Sequence, residues 1–265
     1  MTEPRILAAL ERIEREHDVR VLYACESGSR AWGFPSADSD YDARFLYLQR
    51  PEHYLALDLE ARRDVIELPI VDDLDVNGWD LRKALLLLRK SNPPLLEWLD
   101  SPLVYLERTG LAQALREFAA AHVSPLACGH HYLRMAQNNH RGYLQGERVR
   151  VKKYFYVLRP LLAVRWLEQG RGPVPTPFDA LLETVAERPE LVRCVRELVA
   201  RKRSGEELAE GPRIEVLSDF LEEELARHAA GELALAPRPA PIEPLNALFL
   251  GALREVWGAA LGWPG

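Results

Sequence analysis

The stretch Glu26-Ser-Gly-Ser-Arg-Ala-Trp-Gly-Phe-Pro-Ser-Ala-Asp-Ser-Asp-Tyr-Asp-Ala-Arg44 decides the fold that this sequence predicts. An apolar, β-branched segment from Val19 to Cys25 precedes it and predicts a first strand. Gly28 and Ser29 interrupt that strand, and a second strand is predicted from Asp40 to Leu48. The stretch therefore predicts two strands joined by a turn, a short helix and a loop.

The second predicted strand places acidic side chains on one face. Because successive strand residues point to opposite sides of a sheet, Asp40, Asp42 and Arg44 are expected on the same side. Two neighbouring carboxylates repel each other, whereas a hard divalent cation such as Mg²⁺ binds paired carboxylates together with substrate phosphates. Asp40 and Asp42 are therefore predicted metal ligands. Arg44 is either their salt-bridge partner or a contact for a substrate phosphate.

The turn that precedes this strand suits a phosphate group. Gly28 and Ser29, at a strand-to-helix turn, can direct backbone N–H groups and a hydroxyl at a phosphate. Ser29 also suits the N-cap of a short helix, and the two roles are compatible. Arg30 is either a further phosphate contact or a surface side chain. The same stretch thus predicts a phosphate cradle and, shortly after it, a metal-binding pair.

These residues resemble the signature of the DNA polymerase beta-like nucleotidyltransferase superfamily, in which Gly-Ser after a strand is followed by Asp-x-Asp. The longer string Gly28-Ser-Arg-Ala-Trp-Gly33 with Ser39-Asp-Tyr-Asp-Ala-Arg44 is similar to one branch, the RNA-repair-pathway polymerase-beta family. Further matches to that branch are Trp79-Asp-Leu-Arg-Lys83, Ser91-Asn-Pro-Pro-Leu-Leu-Glu97 and Lys152-Lys-Tyr-Phe-Tyr-Val-Leu-Arg-Pro160. The resemblance covers the chain from about residue 19 to about residue 180.

The resemblance implies an α+β fold and an activity. The expected fold is a polymerase-beta-like nucleotidyltransferase core, a small mixed sheet with helices, followed by an all-helical C-terminal region. The implied reaction transfers a nucleoside monophosphate from a nucleoside triphosphate to a hydroxyl group and releases pyrophosphate, using two Mg²⁺ or Mn²⁺ ions. An RNA end is the implied acceptor. AMP transfer to a protein or a small molecule, and a nucleotide-binding module without chemistry, stay open as alternatives.

The superfamily also implies a third carboxylate on a neighbouring strand. Asp75 is the best candidate because it lies in an extended segment before a helix, and Glu67 is the second. Asp40, Asp42 and Asp75 are therefore the predicted catalytic and metal-binding residues. In the same reading, Gly28 and Ser29 bind the β- and γ-phosphates of the nucleotide.

The remainder of the chain predicts a change from strands to helices. A third strand is expected from Asp64 to Ile70, and Asn77 with Asp80 resembles a capping box for the helix that follows. From about Thr109, helical periodicity replaces the strand signals. The predicted domains are residues 1–108, the nucleotidyltransferase core, residues 109–235, a helical domain, and residues 236–265, a Pro-rich spacer with a C-terminal helix.

Two groups of cations are further candidates for substrate contact. Arg82 and Lys83 fall in the first turn of a predicted helix, where cations oppose the helix dipole, and this favours a phosphate contact. Lys152, Lys153 and Tyr154 belong to a basic run with interleaved aromatic residues. They are predicted either to bind an RNA or nucleotide backbone, with Tyr154 or Tyr156 stacking on a base, or to belong to an amphipathic helix whose lysines are solvated.

Composition restricts the partners. The net charge of −6 is unlike the basic balance of a general nucleic-acid binder, so any RNA contact needs a local basic patch. Three widely spaced cysteines without a CxxC pair predict neither a disulfide framework nor a zinc site, and they favour the reducing cytoplasm. No apolar run approaches the roughly 20 residues of a membrane span, and no membrane partner is expected.

Overall fold

The structure is a computed structural model that describes residues 2–206, 208–230 and 232–261. Its strands are β1 (Arg20–Glu26), β2 (Tyr41–Leu48), β3 (Val65–Glu67), β4 (Leu74–Asp80), β5 (Val104–Glu107), β6 (Arg148–Arg150) and β7 (Glu210–Pro212). Its helices are α1 (Thr2–His17), α2 (Gly28–Ala31), α3 (Pro51–Tyr54), α4 (Leu81–Arg89), α5 (Pro93–Leu99), α6 (Leu111–His122), α7 (Pro125–Tyr143), α8 (Tyr154–Glu168), α9 (Phe178–Leu181), α10 (Pro189–Arg203), α11 (Glu215–Arg227) and α12 (Glu243–Leu261). Short 3₁₀ turns lie at Leu59–Ala61, Val151–Lys153 and Leu182–Val185.

The chain forms two compact units that do not coincide with the predicted domains. The first unit comprises residues 1–28, 40–123 and 239–265, and the second comprises residues 29–39 and 124–238. Helix α6 and the C-terminal helix α12 therefore belong to the sheet-containing unit. These units are defined by contacts within the structure. Whether residues 1–108, 109–235 and 236–265 fold as separate domains is a different question, and that division stays a prediction.

The first unit is built on a five-stranded mixed sheet with the order β3-β4-β2-β1-β5. Strands β2 and β4 are parallel neighbours at its centre, and the other adjacent pairs are antiparallel. On one face, α1 packs against Phe45 and Tyr47 of β2. On the other face, α4, α5, α6 and α12 cover Leu46 and Leu48. Burial on both faces explains why the second half of β2 is continuously apolar.

Helix α4 begins directly where β4 ends. The Asp80 carboxylate caps the helix by accepting a hydrogen bond from the backbone N–H of Arg82 at 2.8 Å. Leu81, Leu85 and Leu88 lie at helical spacing, are buried, and join the core beneath the sheet. The predicted capping box is therefore wrong in its cap residue, because β4 continues through Asn77 and ends only at Asp80.

The second unit is mainly helical. Its elements include α7 to α11 and the two-stranded antiparallel ladder of β6 and β7. Glu224 on α11 is buried and accepts hydrogen bonds from Arg165 at 2.8 Å and Arg227 at 2.7 Å. None of the helices within the described ranges is both long enough and apolar enough to cross a membrane.

The α+β class predicted from the sequence is confirmed, with differences in detail. The third strand is shorter than predicted, from Val65 to Glu67, and the second begins at Tyr41. Strand β5 was not predicted, and β6 and β7 interrupt a region expected to be all helical. These three strands have four residues or fewer, so they are too short to show a periodic pattern.

Candidate active site

Asp42 on β2 and Asp75 on β4 face each other across the parallel strand pair. The two residues are direct partners in the ladder, so their side chains leave the sheet on the same face. Their side chains are 27% and 30% exposed, which leaves both carboxylates accessible to a ligand from solvent. The structure thus brings together one predicted acid of the Asp-x-Asp motif and the predicted third acid.

Arg44 links the two carboxylates. Its Nη2 atom donates to Asp42 Oδ1 at 2.7 Å and to Asp75 Oδ2 at 2.8 Å, and its Nη1 atom donates to the Asp75 carbonyl oxygen at 3.1 Å. Because Arg44 lies two residues after Asp42, it shares that face of the strand. Of the two roles predicted for Arg44, the structure shows the salt-bridge partner.

Gly28 makes room for the Asp42 carboxylate. A Cβ atom at this position would lie 2.1 Å from Asp42 Oδ2, and Gly28 has a φ of +59°, which favours glycine. The residue before Gly28 also bonds to β2, since the Ser27 N–H donates to the Asp42 carbonyl oxygen at 2.9 Å. The glycine of the predicted Gly-Ser motif is therefore required by the position of a predicted metal ligand.

Glu26 is a residue of this site that the sequence analysis missed. It is fully buried at the end of β1, and its Oε1 atom accepts a hydrogen bond from the Asp42 N–H at 2.8 Å. Its Oε2 atom accepts a hydrogen bond from the Tyr105 hydroxyl. Burial of a glutamate directly before the Gly-Ser turn fixes the backbone of Asp42. Its position at the end of an apolar strand was the signal available in the sequence.

Asp40 lies just outside the strand. Strand β2 begins at Tyr41, whose N–H donates to the Asp73 carbonyl oxygen at 2.6 Å, and Asp40 is exposed. The alternation that places Asp42 and Arg44 on one face therefore does not by itself fix the direction of Asp40. Its role as a metal ligand stays a prediction.

The other acids of this region have different partners. Glu67 pairs with Arg63 and accepts a hydrogen bond from Asn77 Nδ2 at 2.8 Å. Asp72 and Asp73 form ion pairs with Arg5 at 3.5 and 3.1 Å. Among the acids considered for the third position, Asp75 is the one that shares a cation with Asp42.

Arg82 and Lys83 are not brought to this site. Asp75 pairs with Asp42, and Asp80 pairs with Tyr47. The start of α4 therefore lies five residues beyond Asp75 along the strand pair. That distance is about 16 Å at the usual rise of a strand. Arg82 instead contacts Glu60 at 2.7 Å and Lys83 contacts Asp64 at 2.9 Å.

The remaining predicted contacts lie in the second unit. Ser29 accepts a hydrogen bond from the Phe34 N–H at its carbonyl oxygen, and Arg30 Nη2 donates to the Ser39 carbonyl oxygen at 2.8 Å. Lys152 is exposed, and Lys153 Nζ lies 4.2 Å from the ring centre of Tyr156.

The prediction that Tyr154 stacks on a base is wrong. Its side chain is fully buried, and its hydroxyl forms a hydrogen bond with Ser218 Oγ at 2.6 Å. A ring enclosed in this way cannot stack on a base.

The acidic pair fits a divalent cation in its chemistry. Carboxylate oxygens are the ligands that Mg²⁺ prefers, and Asp42 and Asp75 present them from neighbouring strands beside a glycine. In the geometry of the described residues, no three His, Cys, Asp or Glu side chains form a cluster that could hold a metal. Arg44 bonds one oxygen of each carboxylate, so an ion bound to these same two oxygens would displace Arg44.

Comparison with known proteins agrees with the motif. The family model RlaP, described as the RNA repair pathway DNA polymerase beta family, matches residues 2–251. The uncharacterized protein YcgL of Bacillus subtilis (strain 168) is 48% identical over 255 residues, covering 96% of this chain and 97% of that protein. A crystal structure of a nucleotidyltransferase-like protein from Exiguobacterium sibiricum 255-15 aligns over 98% of this chain and 92% of its own, with 15% identity and a TM-score of 0.31. A TM-score this low does not establish a shared fold.

The fold and the site define a class. A mixed sheet whose central parallel strands carry facing aspartates next to a Gly-Ser turn is that of a nucleotidyltransferase-like protein of the polymerase-beta type. The family follows from the matches over nearly the whole chain. This chain belongs to the RNA repair pathway DNA polymerase beta family, which confirms the resemblance found in its motifs.

Proposed function

We propose that this protein is a metal-dependent nucleotidyltransferase that transfers a nucleoside monophosphate from a nucleoside triphosphate to a hydroxyl at an RNA end. The observation that carries the proposal is the Asp42–Asp75 pair, which faces solvent from adjacent parallel strands. Two partly exposed carboxylates that share one arginine are a weak source of folding free energy, because the hydration that such a pair loses offsets its attraction. Membership of an RNA repair family supports RNA as the acceptor.

The proposed reaction is an in-line displacement. The acceptor hydroxyl oxygen attacks the α-phosphorus, the bond from that phosphorus to the β-bridging oxygen breaks, and pyrophosphate leaves. Asp75 accepts the proton of the attacking hydroxyl, which requires a carboxylate that solvent-exposed groups can reach. Glu26 and Gly28 hold Asp42 in place through its N–H group and the space beside its carboxylate.

Asp40, Asp42 and Asp75 would hold the two Mg²⁺ or Mn²⁺ ions of the proposal. When bound, such ions stabilise the negative charge that develops on the attacking and leaving oxygens. Asp42 and Asp75 have the required ligand type and already neighbour one cation, the guanidinium of Arg44. Ser29, Arg30, Lys152 and Lys153 belong to the second unit, and their contact with the triphosphate stays a prediction.

Transfer of label from an α-³²P-labelled nucleoside triphosphate tests the proposal. Each of the four nucleotides is incubated with Mg²⁺ or Mn²⁺ and an RNA that ends in a free hydroxyl, with a protein mixture and a small polyol as separate acceptors. Asp75→Asn is expected to abolish labelling, whereas the matched control Glu67→Gln, on the neighbouring strand, is expected to retain it. Undiminished labelling by Asp75→Asn would refute the mechanism. Label on the protein or the polyol alone would identify that acceptor instead.

A second candidate is a nucleotide-binding module without chemistry. The observation that favours it is the Arg44 guanidinium, which bonds both carboxylates and could replace a metal permanently. Calorimetry measures ATP binding, and a pyrophosphate assay then separates the two candidates. The binding module binds ATP but releases no pyrophosphate with any acceptor. The nucleotidyltransferase releases pyrophosphate when its acceptor is present.

The proposed location is the cytoplasm. Cys25, Cys128 and Cys194 form no disulfide among the described residues, and a reducing compartment would keep them so. Cys25 and Cys128 are buried, and burial raises the pKa of each thiol to about 12. These thiols are therefore inert at neutral pH.

A further inference from the structure

A cluster of exposed aromatic and basic side chains lies in the second unit. We call Tyr143, Arg150, Lys152, Lys153 and Tyr156 the aromatic–basic patch. Lys153 Nζ lies 4.6 Å from the ring centre of Tyr143 and 4.2 Å from that of Tyr156, so one ammonium lies between two rings. The Arg150 guanidinium lies 5.6 Å from the Tyr143 ring centre. These contacts bring the end of α7, strand β6 and the start of α8 together.

The rings of this patch are accessible. Tyr143 and Tyr156 are 37% and 36% exposed, whereas the other Phe, Tyr and Trp side chains of the described residues are less exposed. Arg150 and Lys152 are exposed as well. Arg159, which continues the same basic run in the sequence, is buried and lies over Trp32, so it does not belong to the patch.

The surroundings of the patch contain few acids. Arg148, on the same strand as Arg150, forms an exposed ion pair with Glu210 on β7 at 3.6 Å. Glu147 precedes that strand and is exposed. Asp38 is exposed as well and lies within electrostatic range of Lys152. Because Glu210 pairs with Arg148, the three cations of the patch outnumber the two remaining acids, Glu147 and Asp38. The patch is therefore the local basic surface that an acidic chain needs in order to contact a nucleic acid.

We infer that the aromatic–basic patch binds a single-stranded segment of the RNA acceptor, an inference that rests on the proposed function. Exposed tyrosine rings stack on unpaired bases, and neighbouring cations neutralise the phosphates between them. A duplex hides its base faces, so the two rings select a single strand. The ammonium between the rings holds both in place before RNA binds, which lowers the ordering cost of binding.

Fluorescence anisotropy with a labelled oligouridine dodecamer tests this inference. The double variant Tyr143→Ala/Tyr156→Ala is expected to bind RNA about tenfold or more weakly, since each stacked base depends on a ring. Tyr143→Phe/Tyr156→Phe keeps both rings and is expected to bind as the wild type does. Arg150→Ala/Lys152→Ala is expected to weaken binding and to lower the salt slope by about 0.7 for each lost phosphate contact, the value for a single strand.

Controls separate the patch from general charge and from folding. Arg196→Ala removes an exposed cation from α10 and is expected to leave RNA binding unchanged. Circular dichroism verifies that the variants fold, and the Arg150→Ala/Lys152→Ala pair decides the matter if the tyrosine-to-alanine variant does not. Wild-type affinity in either loss variant, or duplex RNA bound as tightly as the single strand, would overturn the inference.

The test also separates this inference from the proposed catalysis. Asp42→Asn is expected to lose nucleotidyl transfer and to keep RNA binding. RNA binding without transfer to any acceptor supports the patch and refutes the enzyme. Transfer to a protein or a polyol by a protein that does not bind the dodecamer refutes the patch and leaves the enzyme standing.

Discussion

The parallel strand pair β2–β4 carries aspartates at both of its ends, and their roles differ between the two ends. At one end, Asp42 and Asp75 are partly exposed, face each other, and share the guanidinium of Arg44. At the other end, Asp80 is buried, caps α4, and accepts a 2.6 Å hydrogen bond from the Tyr54 hydroxyl. The first arrangement serves no element of secondary structure, and the second holds a strand-to-helix junction together.

This difference separates function from stability within one pair of strands. Burial raises the pKa of the Asp80 carboxyl to about 6, and the hydrogen bonds from Tyr54 and from the Arg82 N–H offset only part of that rise. Asp80 is therefore tied to folding free energy. Asp42 and Asp75 remain accessible to solvent, and we expect their replacement to affect activity far more than folding.

The largest expected effect is on catalysis. Asp42→Asn should lower nucleotidyl transfer about a thousandfold or more, because charge stabilisation at the phosphates is worth several kcal/mol. Its free energy of unfolding should change by about 1–2 kcal/mol, since Arg44 keeps Asp75 as a partner and the substituted amide still offers an acceptor oxygen. Single-turnover transfer and urea unfolding measure the two quantities. Asp80→Asn, at the other end of the strands, is the control, and a comparable loss of transfer per folded molecule in it would erase the distinction.

The next effect is the pH dependence of stability. Because the folded-state pKa of Asp80 is raised from 3.8 to about 6, the folded protein holds this proton more tightly than the unfolded chain does. Its contribution to stability is full below pH 4 and is lost as the pH rises to about 6. The loss is at most about 3 kcal/mol, at 1.36 kcal/mol for each pKa unit. Urea unfolding from pH 4 to pH 7 should show this fall in the wild type relative to Asp80→Asn, and parallel profiles would contradict it.

A smaller effect is expected from two neighbouring tyrosines. Tyr54→Phe removes the hydroxyl that donates to Asp80 and should destabilise the protein by about 1–3 kcal/mol. Tyr47→Phe is the matched control, because the Tyr47 hydroxyl is buried and has no hydrogen-bond partner among the described residues. Its removal should leave the free energy of unfolding unchanged or raise it. Equal destabilisation by both substitutions would show that Tyr54 does not support Asp80.

The smallest expected effect concerns Arg44. Arg44→Ala leaves Asp42 and Asp75 without their shared guanidinium, and we expect Mn²⁺ to bind about tenfold more tightly, a gain of about 1.4 kcal/mol. Arg20→Ala removes a cation from the far end of the neighbouring strand β1 and serves as the control. Unchanged Mn²⁺ affinity in Arg44→Ala would show that Arg44 does not compete with the metal.

The sequence predicted much of the acidic end and little of the capped end. Alternation along β2 placed Asp42 with Arg44. The family resemblance implied a third acid, and the extended segment before a helix favoured Asp75 over Glu67. The register that makes Asp42 and Asp75 partners is a long-range property, which no local pattern contains. The capping box failed for the same reason, because pairing with β2 extends β4 past Asn77. At Asn77, pairing between strands outweighs the local preference of the side chain for a helix cap.

The basic run shows a second limit of sequence reasoning. Lys152 is exposed and Lys153 is partly exposed, which both predicted roles allow, but Tyr154 is buried. Helix α8 buries residues on nearly all sides, from Tyr154 and Phe155 to Val164, so it lacks the broad solvated face of an amphipathic helix. Tyr143, which completes the aromatic–basic patch, comes from α7, and its proximity depends on helix packing that periodicity cannot reveal.

Electron paramagnetic resonance of Mn²⁺ with a non-hydrolysable nucleoside triphosphate tests the central claim most directly. We expect the wild type to bind Mn²⁺ in the nucleotide complex, Asp42→Asn and Asp75→Asn to lose that signal, and Asp80→Asn to keep it. Mn²⁺ bound equally by all four proteins, or lost only in Asp80→Asn, would contradict the assignment of the site to the Asp42–Asp75 end of the strands.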